Sequence, residues 1–219
     1  MVLAGNAVAQ LKWTVKAGLN YSNVVARDDG GNKANTASVP GVFLGLGTAV
    51  PLTGVLSIQP ALVYAKRGFK QPGASHIGWG TDFEAKVSYL ELPVAVVYHP
   101  QIGNGKLLVA AGPYAGYGTG GTWKTRGPVT VGDIMFEGKG DIAFQNDMSA
   151  RGKGANSYTY ARPWDYGLHF GLGYAFLGRY AASFEAQQGL ADLQPHFGSY
   201  RPKSSVRNRS FALALSYRL

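Results

Sequence analysis

At 219 residues, with 46% apolar and 15% charged side chains, the chain can bury the core of one domain or two small ones, and it is too apolar to be disordered. It contains no cysteine, which excludes disulfides, thiolate metal sites, thiol nucleophiles and a lipoprotein anchor. A formal charge of +9 points first to nucleic acid, but the basic residues are spread among Gly, Asp and Ser without a dense cluster, so no nucleic-acid partner is expected.

Glycine stands out, with 31 residues, about twice the usual share of roughly 7%. Many lie inside apolar alternating runs such as Phe43-Leu-Gly-Leu-Gly47 and Phe170-Gly-Leu-Gly-Tyr174. There glycine lets strands bend and backbones approach closely, as a small curved barrel requires. No run of 18 apolar residues offers a transmembrane helix, but barrel strands need only about 9–11 residues each. At the start, Val2–Gln10 reads as the tail of an export signal with Ala7-Val8-Ala9 as its cleavage site. The expected organisation is a signal-peptide remnant over 1–9 and one barrel domain over 10–219.

Eight stretches alternate with a period of two, the signature of strands with one apolar and one polar face. Strand one is expected at Lys12–Ser22, two at Val39–Val50, three at Val55–Lys66 and four at Ala85–His99. Strand five follows at Lys106–Gly118, six at Trp164–Leu177, seven at Tyr180–Leu190 and eight at Arg207–Leu219. In the last, Phe211, Leu213, Leu215, Tyr217 and Leu219 form the apolar set, separated by small or polar residues. The links run long, short, long, short, long, short, long, and the longest, Thr119–Pro163, shows little alternation.

That rhythm predicts an all-β fold, an eight-stranded antiparallel up-and-down transmembrane barrel with short periplasmic turns and long extracellular loops, located in the outer membrane. A soluble lipocalin-like ligand-binding barrel is the alternative, but it would turn its apolar face inward. Tyr and Trp near the strand ends fit the aromatic girdles of a membrane barrel instead. Pro60, Pro93 and Pro113 cut against the assignment, since each removes a ladder hydrogen bond from a strand with no free edge.

Five pieces of the chain resemble the PorT-like family of small outer-membrane β-barrel proteins of Bacteroidetes. They are Lys16-Ala-Gly-Leu-Asn-Tyr-Ser-Asn23, Gln59-Pro-Ala-Leu-Val-Tyr-Ala-Lys-Arg-Gly68, Tyr89-Leu-Glu-Leu-Pro93, Gly112-Pro-Tyr-Ala-Gly-Tyr117 and Arg179-Tyr-Ala-Ala-Ser-Phe-Glu-Ala-Gln-Gln-Gly-Leu-Ala-Asp192. The resemblance implies a barrel without catalytic residues, in a family some of whose members are implicated in protein secretion. Leu219 departs from the aromatic last residue usual in such barrels, which shifts recognition by the assembly machinery toward Tyr217.

An eight-stranded barrel has room inside for side chains and hardly for a channel. Lys16, Gln59, Glu91, His169, Glu185 and Arg218 fall on the polar register, so an internal network is expected in which Glu91 and Glu185 neutralise Lys16 and Arg218. The same residues read as a narrow ion path make the protein a porin. A lipid-modifying enzyme is a third alternative, because His169 and Ser183 fall on neighbouring strands, but no motif supplies a third member or an oxyanion donor. Four scattered histidines lack metal spacing, and neither a metal nor a cofactor is expected. Lys66, Arg67, Lys70, Arg201, Lys203, Arg207 and Arg209 fall near the outer rim, placed to contact lipopolysaccharide phosphates. Trp79 and Trp123, in or beside long loops, are expected to face an envelope protein or glycan. The expected unit is a monomeric barrel with a structural or interaction role in the envelope.

Overall fold

The computed structural model describes residues 12–73, 82–127, 129–131, 134–136, 138–148 and 157–219. The leader expected over 1–9 lies outside them. Eight long strands are present: β1 (Lys12–Arg27), β2 (Ala37–Pro51), β3 (Leu56–Gln71), β4 (Phe83–Tyr98), β5 (Gly105–Thr125), β6 (Trp164–Phe176), β7 (Tyr180–Gly189) and β8 (Ser205–Arg218). Each pairs antiparallel with its neighbours in sequence, and β8 pairs with β1 to close the ring. Closure leaves no free edge where all eight strands pair, so apart from gaps beside the prolines their backbone groups are satisfied within the sheet, as hydrocarbon demands.

The apolar residues of the ring face outward. On β8, Leu213 and Leu215 are 66% and 67% exposed while Ala214 between them is 4% exposed. A period of two sends neighbours to opposite faces, so the solvent of the outer face is lipid. Leu19, Leu62, Leu92 and Leu172 continue the band around the ring. Aromatic residues border it on both sides: Trp13, Tyr98, Tyr180 and Tyr217 toward the short turns, and Tyr21, Tyr64, Tyr117 and Trp164 toward the long loops. Tyr117 and Trp164 meet edge to face at 5.1 Å, and Tyr180 and Tyr217 lie 5.1 Å apart. The end with the short turns, where β1 starts and β8 finishes, is the periplasmic one.

The prolines are accommodated by gaps in the ladder without a slip in register. The β3–β4 pairing breaks after Pro60↔Val94 and resumes at Val63↔Glu91; the β4–β5 pairing breaks after Pro93↔Tyr114 and resumes at Val96↔Ala111. Beside Pro113, Gly112 lets the two backbones close up, since a Cβ there would overlap the Val94 carbonyl.

Several strands run further outward than their alternation predicts. β3 reaches Gln71 where Lys66 is expected as its end, β1 reaches Arg27 instead of Ser22, and β5 reaches Thr125 instead of Gly118. A bulge between Ser88 and Tyr89 shifts the register of β4 on β5 in this extension. The segment 119–163, expected as a loop, adds sheet of its own. Lys139–Phe144 pairs with β5 and, in parallel, with Ser157–Ala161, and a small hairpin joins Val129–Val131 to Ile134–Phe136. Alternation is short in these pieces, so tertiary pairing and not periodicity defines them.

Candidate functional site

At the level of the outward Leu90 and Leu92, the inward side chains form two hydrogen-bonded groups that cross the lumen. Arg67 on β3 binds Glu91 on β4 at 2.7 Å, and its Nη2 also donates to Gln187 Oε1 on β7. Gln187 Nε2 donates back to Glu91 Oε2 at 3.2 Å, and Ser210 on β8 donates to Gln187 at 3.4 Å. β3 and β7 stand opposite each other in the ring, so this group is a strut across the barrel.

The second group centres on Asp165 of β6. Tyr114 donates its hydroxyl to Asp165 Oδ2 at 3.0 Å, and Asn208 Nδ2 donates to the same oxygen at 2.9 Å and to the Tyr89 hydroxyl at 3.3 Å. Tyr89 on β4 and Asn208 on β8 are also opposite. The Arg67 guanidinium lies 6.0 Å from the Tyr89 ring centre and 5.9 Å from that of Tyr114, which joins the two groups by cation–π contact. Buried charges need pairing and hydrogen bonds. Arg67 is paired with Glu91 and Asp165 Oδ2 accepts from Tyr114 and Asn208, while Arg67 Nε and Nη1 and Asp165 Oδ1 have no hydrogen-bond partner among the described residues.

Above these groups an apolar cluster fills the barrel's extracellular extension. Val24, Phe69, Phe83, Val87, Tyr89, Trp123 and Ile142 are buried together, with Phe144, Tyr160 and Val206 packed against them. Phe83 stacks on Trp123 at 6.2 Å, and Phe144 meets Tyr89 and Tyr160 edge to face, each at 5.5 Å. Ile142 and Phe144 come from the strand Lys139–Phe144 that adds to the edge of β5, and their inward side chains cap the lumen as a lid. Contacts of this kind exclude water from the path.

Below the struts, Lys16 on β1 donates to Glu185 on β7 at 2.8 Å, and Ser183 donates to the same carboxylate oxygen at 3.0 Å. Gln59 binds Ser57 at 3.1 Å, and His169 is buried nearby. The Ser183 hydroxyl is therefore committed to Glu185 and forms no pair with His169. Arg218 does not neutralise Glu91. It donates instead to the Gly178 carbonyl at the periplasmic turn.

Two expected rim residues lie inside. Arg67 is 5% exposed and belongs to the central strut, and Trp123 is 4% exposed and belongs to the cluster above it. The cause is the outward extension of β3 and β5: Arg67 shares parity with Gln59, and a strand that continues past Lys66 must turn Arg67 into the lumen. That parity was the available signal for Arg67. Asp165, on the inward parity of β6, was equally visible there, whereas Tyr89, Tyr114 and Asn208 read as ordinary lining residues. Trp79 lies outside the described residues.

Lys66, Lys70, Arg201, Lys203 and Arg207 are exposed, and Arg209 is half-buried. Lys70 joins a cluster on the outer face above the apolar band. There Glu84 is met by Lys86 at 3.2 Å, Lys70 at 3.4 Å and Lys124 at 3.5 Å. Partial burial acts to raise the Glu84 pKa, but the Lys86 hydrogen bond and the charges of Lys124, Lys70 and Lys86 outweigh it and hold the carboxyl below the usual carboxylate range.

The family model of the outer membrane protein beta-barrel domain matches residues 6–194 of the chain. No curated protein sequence matches it. Among solved structures, Ail, the attachment invasion locus protein of Yersinia pestis in complex with the heparin analogue sucrose octasulfate, aligns at 12% identity over 95% of this chain and 99% of its own, with a TM-score of 0.43. OprG from Pseudomonas aeruginosa aligns at 9% identity over 95% of this chain and 96% of its own, with a TM-score of 0.47. The outer membrane protease OmpT from Escherichia coli aligns at 12% identity over 95% of this chain and 97% of its own, with a TM-score of 0.41. With a closed ring of eight strands, a lipid-facing apolar band and a family match over most of its length, the chain belongs to the outer membrane protein beta-barrel domain family and is a protein of the outer membrane.

Proposed function

We propose that this barrel is a non-conducting structural or interaction protein of the cell envelope. The observation that carries the reading is the double closure of the lumen, by the Arg67–Glu91–Gln187 strut and by the aromatic cluster that the long loop completes. A barrel sealed in this way offers its partners a surface and no passage. The narrow porin reading has no comparable support, and the enzymatic reading lacks its Ser183–His169 pair, because Ser183 donates to Glu185 and not to His169. The resemblance to PorT-like proteins favours a task linked to protein secretion. The exposed Arg201, Lys203 and Arg207 form the surface offered to an envelope partner, and the three lysines around Glu84 meet the phosphates of lipopolysaccharide.

Two measurements test this reading. Planar bilayers containing the refolded barrel should stay electrically silent, and steady single-channel steps would overturn it. Affinity capture from solubilised envelopes should recover a partner with the wild-type chain and lose it with R201S/K203S/R207S. Equal recovery by both would remove the assigned interaction surface.

A further inference from the structure

The periplasmic half of the lumen is not filled. Below the struts lies a cavity of about 360 Å³ that reaches the short-turn end of the barrel. Its walls carry five cationic side chains, Lys12, Lys16, Lys106, Arg179 and Arg218, against a single carboxylate, Glu185. With the histidines neutral this is a formal charge of +4. The carboxylate is already taken by Lys16 at 2.8 Å. Among the described residues no carboxylate pairs with Lys12, Lys106, Arg179 or Arg218. Arg179 donates to the Tyr217 hydroxyl and Arg218 to the Gly178 carbonyl, both neutral partners.

From this geometry we propose that the cavity is a binding site for a soluble multivalent oxyanion, a phosphate- or polycarboxylate-bearing small molecule that enters from the periplasm. Lys12, Lys106, Arg179 and Arg218 are exposed at the mouth and Lys16 is half-buried further in, so the like charges converge on one opening. A counter-charge of matching valence relieves their repulsion, most strongly at low salt. The walls beneath the cations are small, with Gly45, Gly47, Ala61 and Gly171 among them, so the space is open where an anion would sit. His169 is buried against the cavity and its Nδ1 has no hydrogen-bond partner, which adds an inward polar atom at the closed end. A lipid headgroup could occupy the site only by drawing its acyl chains past the charged mouth, so the occupant is soluble. The aromatic cluster and struts block the extracellular side, which makes the site a blind pocket and not a conduit.

The experiment is isothermal titration of the refolded full chain in neutral detergent at low salt, with sodium pyrophosphate in one arm and citrate in the other. Saturable one-to-one binding of either anion supports the site, and the arm that binds gives the chemical class. K12Q/K106Q should weaken that binding at least tenfold, whereas K33Q, a charge removed in the extracellular loop between β1 and β2, should leave it unchanged. Unchanged heat-modifiable gel mobility establishes that each variant is folded. No saturable binding in either arm, or binding equal in wild type and K12Q/K106Q, overturns the proposal.

Discussion

Arg67 and Glu91 meet at 2.7 Å inside the barrel, with side chains 5% and 2% exposed. The pair ties β3 to β4, and through Gln187 it ties both to the opposite wall. Removing one partner leaves a charge buried without its counterpart, which costs about 3–5 kcal/mol, while an apolar pair of similar volume is close to neutral. We therefore expect E91Q and R67M each to lower the unfolding free energy by about that amount, and R67M/E91L to recover most of it. Urea unfolding of the refolded barrel checks this. Additive losses in the double variant would show that the two side chains do not act as a pair.

Gly118 lies at the bulge where β5 shifts register on β4, and a Cβ there would overlap the Phe144 ring. Phe144 belongs to the lid, so Gly118→Ala must displace it or strain the cluster, at a cost of about 1–3 kcal/mol. The expected readout is local. Limited proteolysis in the 138–148 segment should accelerate while strand content by circular dichroism stays constant. Unaltered cleavage would separate the lid from Gly118.

The β6–β7 turn holds Leu177 at φ 49°, followed by Gly178 at φ 72°. A leucine in the left-handed region costs roughly 1–2 kcal/mol, and Leu177 is exposed, so its side chain returns little by packing. Leu177→Asn or Leu177→Gly should raise the stability of the barrel, by about 1 kcal/mol for Asn and less for Gly, whose unfolded chain is freer. A fall in the urea midpoint for both variants would contradict the strain.

Glu84 sits among three lysines with its pKa held below the usual carboxylate range. A depressed pKa means that the ionised carboxylate is favoured by folding. Its contribution is fully present above the ordinary carboxylate pKa and disappears as pH falls through the lowered value. NMR titration of the labelled side chain should thus place its midpoint below that of a model glutamate. Glu84→Gln removes the carboxylate that Lys70, Lys86 and Lys124 share and should tighten lipopolysaccharide binding, with a steeper salt dependence. Weaker binding would show that the carboxylate contributes to the contact itself.

By itself the sequence determined the wall of this protein. A period of two assigns every residue of a strand to one face as soon as one is assigned, so Leu213 and Leu215 against Ala214, or Leu90 and Leu92 against Glu91, were legible from alternation. The order of short and long links was equally plain, because adjacent antiparallel strands need only a turn. What fills the barrel was decided by tertiary structure. Arg67 and Gln187 are 120 positions apart, and Tyr89 and Asn208 are 119 apart. They meet only because ring closure sets β3 against β7 and β4 against β8. The lid and the outward reach of β3 and β5 were hidden for the same reason. Phe144 faces inward because its strand adds to the edge of β5, and that edge exists only once the barrel is folded.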